Sequence, residues 1–182
     1  MIVPDNRHWK QFGEIINKDF NLTNSTKLEV FWQLELFAPL LKEKIEELTE
    51  KATQERKIEN ELIKLEKIWS DINFETHQLS LKDGPVDLLK MNDEHLELLD
   101  EHQLLVQSLA SNKYLAYYEE KVLRWQKGLS NVNETIKLVS DVQKTWSFLI
   151  NLFIYSQEVK KELPEDSLKF VEIDKLVRGI LD

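Results

Sequence analysis

The 182-residue sequence contains no cysteine and few of the residues that form turns, with only four glycines and four prolines. Without cysteine, the chain has neither a disulfide framework nor a zinc site with thiolate ligands. So little glycine and proline disfavours collagen, glycine-rich loops and an architecture dense in β turns. The glycines also lie far apart, at positions 13, 84, 128 and 179. No phosphate-binding loop of the G-x-x-x-x-G-K-[ST] kind can be drawn, so we expect no ATP site in this chain.

Positive charge is also scarce, because 24 basic side chains stand against 33 acidic ones and leave a net charge of −9. Nucleic-acid binding depends largely on Lys and Arg, so the acidic balance argues against a nucleic-acid partner and favours contact with other proteins. The first ten residues lack the cationic stretch and apolar core of a secretory signal. The most apolar run, residues 148–155, is far shorter than the roughly 20 residues of a membrane span. We therefore expect a soluble, cytoplasmic protein with no membrane contact.

Apolar residues recur at steps of three and four along most of the chain, which is the pattern of amphipathic helices. The shorter predicted helices cover residues 6–17, 27–38, 92–110 and 164–180. The third of them is expected to begin at a cap on Asn92, and the last at Pro164, because proline suits the first turn of a helix.

Two further predicted helices are much longer. One covers residues 39–72, and polar residues at Glu55 and Glu59 interrupt its apolar seam. The other lies near 113–154 with an unbroken seam, and its roughly 42 residues would extend about 63 Å at 1.5 Å per residue. A helix of that length predicts an elongated molecule. The heptad-like spacing is also typical of a coiled-coil dimer, but we favour packing within the chain because the polar gap would weaken a free zipper.

The apolar period changes to two around residues 74–89. Two short alternating runs flank Lys82-Asp83-Gly84-Pro85, which is typical of a β-hairpin. The predicted fold is therefore all-α, an elongated bundle of long antiparallel helices with one small β-hairpin. We predict two parts: residues 1–90 with the N-terminal helices, one long helix and the hairpin, and residues 91–182 with the second long helix.

Candidate catalytic and metal-binding residues are few. His95 and His102 lie seven residues apart on one acidic helix and could hold a metal only if a second helix added ligands, so we interpret both as surface histidines. His8 and His77 have no partner at catalytic spacing. The many carboxylates are typical of solvated helix faces. We therefore predict no catalytic residue, no cofactor-binding residue and no metal site.

Three of the five tryptophans, Trp69, Trp125 and Trp146, fall on the apolar seams. Because a large aromatic side chain most simply packs between helices, we expect them in the core. The alternative is an exposed stripe that docks a partner.

A series of short motifs and single residues is spaced over positions 7–178. They are the RHW of Arg7 to Trp9, EKIEE from Glu43, Ala52, Glu55, Ile58-Glu59, Trp69, Phe74, SNKYL from Ser111, WQKGL from Trp125, VQKTW from Val142, Phe153, LPEDS from Leu163, Phe170 and Ile173-Asp174. Their identity and order resemble the N-terminal part of the linker region of dynein heavy chains. The SNKYL, WQKGL and LPEDS versions look more like axonemal outer-arm chains than cytoplasmic dynein. Two positions depart from the family pattern, since Ile150 replaces a common acidic residue and Tyr155 alters the ending after Phe153.

By this resemblance, the chain is a non-catalytic lever segment of a microtubule motor driven by ATP. ATP and magnesium would bind elsewhere in the parent chain. The implied partners are the rest of the heavy chain with its ATPase ring and other dynein subunits, with microtubules reached only through parts outside this segment. The implied location is the cytoskeleton of a cilium or flagellum axoneme. Periodicity alone leaves open a free-standing, spectrin-like helical scaffold.

Overall fold

The computed structural model describes residues 6–18, residue 29 and residues 39–181. These residues form helices and one hairpin, which confirms the mostly helical fold. In chain order the elements are α1 (Asn6–Ile16), α2 (Pro39–Asp71), β1 (Glu75–Leu81), β2 (Gly84–Lys90), α3 (Asp93–Ala110), α4 (Glu119–Phe153), α5 (Gln157–Glu162) and α6 (Pro164–Leu181). The helix predicted at 27–38 lies outside the described residues, apart from Glu29. None of the described helices is long and apolar enough to cross a membrane.

Contacts group the chain into two units. Unit 1 takes its described residues from Met1–Ile68 and Val106–Arg124, and unit 2 from Trp69–Leu105 and Trp125–Asp182. The division that the sequence predicts at residue 90 stays a prediction, as does the elongated form of the molecule.

Unit 1 contains α1, which ends where the sequence predicts. Asn17 adopts a left-handed conformation with a φ of 52°. The amide of Lys18 donates to the carbonyl of Gly13 (3.0 Å), and the amide of Asn17 donates to that of Glu14 (3.2 Å). These two bonds form a Schellman motif, which satisfies carbonyls at the end of the helix. The buried apolar residues of this unit are Phe12, Ala52, Ile58, Leu62, Leu65, Val106, Tyr118 and Val122.

Unit 2 contains the predicted hairpin. Strands β1 and β2 pair antiparallel from Glu75 with Lys90 to Leu81 with Gly84, around a loop of Lys82 and Asp83. Gly84 has a φ of 134°, which side chains rarely tolerate, so glycine is required directly after this loop. The core beside the hairpin is formed by Leu88, Trp146, Ile150, Phe170 and Val177.

The predicted seam through α4 is confirmed, because none of its twelve positions is exposed. They are Leu115, Tyr118, Val122, Trp125, Leu129, Val132, Ile136, Val139, Gln143, Trp146, Ile150 and Phe153. The start of the helix was predicted too early. Asn112 accepts a bond from the amide of Tyr114 through its side chain (2.9 Å) and one from the amide of Leu115 through its carbonyl (3.1 Å). These turn bonds compete with helix formation, so α4 begins at Glu119.

The short helix α5 was not predicted. Ser156 caps it, with an extended backbone and a hydroxyl that accepts a bond from the amide of Val159 (3.4 Å). A serine before a short polar run is the signal in the sequence that could have revealed it.

Candidate functional site

Glu55, one of the two residues of the polar gap in the seam of α2, forms a buried ion pair. Glu55 is only 3% exposed, and its Oε2 lies 2.6 Å from an Nη of Arg7 and 3.0 Å from Nε2 of His8. Both partners come from α1, which carries them on adjacent positions of its first turns. A carboxylate buried this deeply requires paired charge and hydrogen bonds. We call the set of Arg7, His8, Glu55, Tyr117 and Tyr118 the Glu55 junction.

Two tyrosines before α4 complete the Glu55 junction. The guanidinium carbon of Arg7 lies 3.3 Å from the centre of the Tyr117 ring, a cation–π contact. Arg7 also donates to the hydroxyl of Tyr118 at 3.4 Å. Burial raises the pKa of the Tyr118 hydroxyl, the bond from Arg7 opposes the rise, and the charge of Glu59 adds to it. The junction thus ties α1, α2 and the start of α4 through charge as well as apolar packing.

A second set of contacts surrounds Trp146 in unit 2. Trp146 is 2% exposed, and its indole N–H donates to Oδ1 of Asp174 at 2.9 Å. Nε of Arg178 donates to both oxygens of the same carboxylate, at 3.0 and 3.2 Å. The guanidinium carbon lies 5.7 Å from the Trp146 ring centre, and Nη2 donates to Asp83 at 2.8 Å. We call Asp83, Trp146, Tyr155, Asp174 and Arg178 the Trp146 junction.

The Trp146 junction reaches the hairpin loop through Asp83. The hydroxyl of Tyr155 donates to this carboxylate, and that bond is the largest effect that lowers the pKa of Asp83. Partial burial opposes the shift, and the positive charge of Arg178 supports it. For Tyr155, burial and the bond to Asp83 both raise the pKa of the hydroxyl. The hairpin, α4, α6 and the turn after α4 are thereby joined by directional bonds.

Gln143 fastens the outer edge of β2 to α4. Its side-chain amide accepts from the backbone N–H of Leu89 at 2.8 Å and donates to the carbonyl of Leu89 at 2.9 Å. The side chain therefore pairs with the strand as a neighbouring strand would. The sequence pattern placed Gln143 on the apolar seam, and this pair of hydrogen bonds explains why a polar side chain is buried there.

The histidines differ from the prediction. His102 is not a surface residue, because it is 9% exposed and its Nδ1 accepts a bond from the indole N–H of Trp69 at 3.0 Å. His95 is partly buried on the same helix. His8, for which the sequence shows no partner at catalytic spacing, makes a structural hydrogen bond with Glu55, 47 residues away along the chain. Among the described residues, no group of three or more His, Cys, Asp or Glu could hold a metal ion.

The tryptophan prediction is confirmed for Trp146, whereas Trp69 and Trp125 are only half-buried. Ile150, which departs from the resemblance, is fully buried in the unit 2 core, where an acidic side chain would lack solvent. Tyr155, the other departure, holds the hairpin loop through Asp83.

Comparison with known proteins assigns the chain to a family. A model of the family described as dynein heavy chain, N-terminal region 2, matches residues 4–182. The chain belongs to the dynein heavy chain family. It is 35% identical to the dynein alpha chain of the flagellar outer arm of Chlamydomonas reinhardtii over 96% of its own length. It is 34% identical to the ciliary dynein beta chain of Tripneustes gratilla over 92%, and 31% identical to dynein axonemal heavy chain 17 of Mus musculus over 97%. It spans about 4% of the length of each of these relatives.

Some of the residues that carry the dynein resemblance meet at the two junctions. Arg7 and His8 of RHW contact Glu55, which was the isolated acidic match in α2. Trp146, the last residue of VQKTW, contacts Asp174 of the Ile173-Asp174 match. These five matches of the dynein segment therefore make structural contacts between distant elements.

Proposed function

We propose that the chain is a non-catalytic mechanical segment of a dynein heavy chain, part of the linker that acts as a lever during ATP hydrolysis. The main support is the Trp146 junction, together with the family match. A lever must resist deformation when load reaches it from a neighbouring part of the motor. Apolar packing alone is non-directional, whereas paired charges and hydrogen bonds between different elements fix their relative geometry.

The path of load in unit 2 follows from these bonds. A displacement of α6 would stretch the bonds that Asp174 and Arg178 make to Trp146 and Asp83. It would therefore be transmitted to α4 and to the hairpin loop instead of being absorbed. Gln143 adds a second attachment between the hairpin and α4.

Unit 2 also exposes apolar side chains on α4 and α6 that suit packing against further protein. The most exposed of them are Leu138, Phe148, Leu168, Leu176 and Ile180. A cleft of about 130 Å³ lies between Val142, Val177 and their neighbours. Three of the exposed residues, Leu138, Val142 and Ile180, line this one cleft, and exposed apolar residues that are contiguous are typical of a protein contact surface. We propose the rest of the heavy chain, with its ATPase ring, as the main partner, beside other dynein subunits.

The parent motor would bind ATP and magnesium elsewhere, and this segment would hold no cofactor of its own. Microtubules would be contacted by other parts of the heavy chain, and neither nucleic acid nor membrane is a proposed partner. The relatives are described as flagellar, ciliary and axonemal dyneins. Their descriptions support a place in the cytoskeleton of a cilium or flagellum axoneme.

The test is the coupling between ATP hydrolysis and movement in the complete heavy chain. Trp146→Phe retains an aromatic ring but removes the N–H that binds Asp174, and Lys144→Ala on the exposed face of α4 is the control. We expect Trp146→Phe to slow microtubule gliding while the ATPase rate stays unchanged, because the lever yields under load. Equal gliding velocity in both variants would contradict the proposal.

The reading frame of the gene after the codon for Asp182 distinguishes the motor segment from a free-standing scaffold. Codons that continue past Asp182 into Walker motifs support the motor segment. A stop codon directly after Asp182 favours the spectrin-like scaffold instead.

A further inference from the structure

The two edges of the hairpin differ in how their backbone groups are satisfied. In an antiparallel pair, residues alternate between those that bond to the opposite strand and those whose N–H and C=O point outward. The backbone N–H and C=O of Leu89 point outward from β2, because both bond to Gln143. The cross-strand partner of Leu89 is Thr76, so the backbone groups of Thr76 point outward from β1. By the same alternation, those of Gln78 and Ser80 also point outward.

The outer edge of β2 is protected at two of its three outward positions, Pro85, Asp87 and Leu89. Pro85, opposite Ser80, has no N–H to present, and Leu89 is paired with Gln143. Edge strands of native proteins are commonly protected by proline, lysine, bulges or a covering element. Strand β1 has no proline or lysine, and its register is continuous. In the described part of the chain, no backbone bond to the outward groups of Thr76, Gln78 and Ser80 is formed outside the hairpin.

An apolar cleft adjoins the start of β1. It has a volume of about 320 Å³ and is lined by residues before β1, after β2 and on α4: Trp69, Ile72, Asn73, Phe74, Met91, Asn131, Val132 and Thr135. Phe74 directly precedes β1 and is 53% exposed. A strand that paired with β1 and continued beyond Thr76 would reach Phe74 at this cleft, and a pocket for a side chain is how strand addition gains specificity.

The charge before the start of β1 is negative. Residues 69–81 include no Lys or Arg, and Asp71 and Glu75 are exposed, although Lys90 lies opposite Glu75. The net charge of the chain is −9. A second copy would bring the same negative charge to the edge, whereas a basic segment would be attracted to it.

We propose that β1 binds an extended, proline-free segment of another polypeptide by strand addition. The segment pairs with the backbone of Thr76, Gln78 and Ser80. It places an apolar side chain in the cleft beside Phe74 and a basic residue near Asp71. This inference goes beyond the lever function and does not depend on it, because it follows from the open edge of β1 and from the cleft and the charges beside it.

The experiment uses the 182-residue chain and a synthetic peptide, Lys-Leu-Thr-Val-Thr-Val-Thr. Gln78→Pro removes one outward N–H without touching the bonds between β1 and β2, because residue 78 lies at an outward position. Gln78→Ala retains that N–H and is the matched control. The control for the peptide is a version methylated on alternate backbone nitrogens, which lacks the N–H groups that strand pairing uses. Circular dichroism verifies that both variants fold.

We expect the peptide to slow amide exchange at Thr76, Gln78 and Ser80 in the unmodified chain at about 1 mM, where a millimolar Kd gives half occupancy. Gln78→Pro should weaken binding about tenfold, as the loss of one hydrogen bond predicts, and Gln78→Ala by less than about twofold. The methylated peptide should not bind. Equal binding by both variants, or unchanged exchange at 1 mM peptide, would overturn the proposal. A dimer of the unmodified chain in sedimentation would also overturn the proposal if Gln78→Pro dissociated it, because the occupant of β1 would then be a second copy of the chain.

Discussion

Trp146→Ala tests whether the Trp146 junction holds unit 2 together. The indole is 2% exposed and lies in a core with Leu88, Ile150, Phe170 and Val177. Truncation of a buried tryptophan typically costs about 3 to 5 kcal/mol, because neighbours only partly fill the cavity. The variant also removes the N–H that Asp174 accepts, although Arg178 still binds that carboxylate. We therefore expect a loss of at least about 3 kcal/mol, a large share of the roughly 5 to 15 kcal/mol that stabilises a domain.

The assay is urea unfolding followed by circular dichroism at 222 nm, which does not depend on the tryptophan that is removed. Lys144→Ala is the control, since Lys144 is exposed on α4 two residues away and should change the free energy of unfolding by less than about 0.5 kcal/mol. Coincident unfolding curves for the two variants would refute the reasoning. The seam would then be a surface that docks a partner.

Three further predictions concern the other contacts and the missing nucleotide site. Glu55→Ala should lower the free energy of unfolding by about 3 to 5 kcal/mol in urea, because Arg7 loses its buried partner, whereas Glu50→Ala on the exposed face should be neutral. The pKa of Asp83 is lowered in the folded state, so its contribution to stability is present above its ordinary value of 3.8 and is lost as the pH falls through the lowered value. The free energy of unfolding in urea should thus fall less between pH 5 and about pH 2 in Asp83→Asn than in the unmodified chain. An identical dependence on pH in both proteins would count against the bond from Tyr155. Calorimetry should detect no saturable micromolar binding of ATP to this chain, and a clear binding isotherm would show that the missing phosphate loop was misleading.

The sequence could predict the elements whose signal is local. The period of three and four predicts the seam of α4, and the change to a period of two predicts the hairpin. Asn92 was predicted as a cap, and its side chain does accept a bond from the amide of Glu94 at 2.9 Å. Each of these features depends on neighbours within a few residues, which is where propensity and periodicity apply.

The contacts that define the candidate site depend on distant residues. Glu55 and His8 are 47 residues apart, and Asp83 and Arg178 are 95 apart. Nothing in the period of α2 shows that a polar residue in the seam has a charged partner on another helix. His102 was misjudged for the same reason, since its partner Trp69 belongs to a different helix. The family resemblance marked several of these residues, but it did not say which of them meet.

The central claim, that this segment transmits force, is tested most directly by the stall force of the complete heavy chain in an optical trap. The comparison is Trp146→Phe against Lys144→Ala, with the ATPase rate measured on the same preparations. We expect a lower stall force for Trp146→Phe at an unchanged ATPase rate, because the bond between α4 and α6 through Asp174 is lost. The same stall force in both variants would contradict the account.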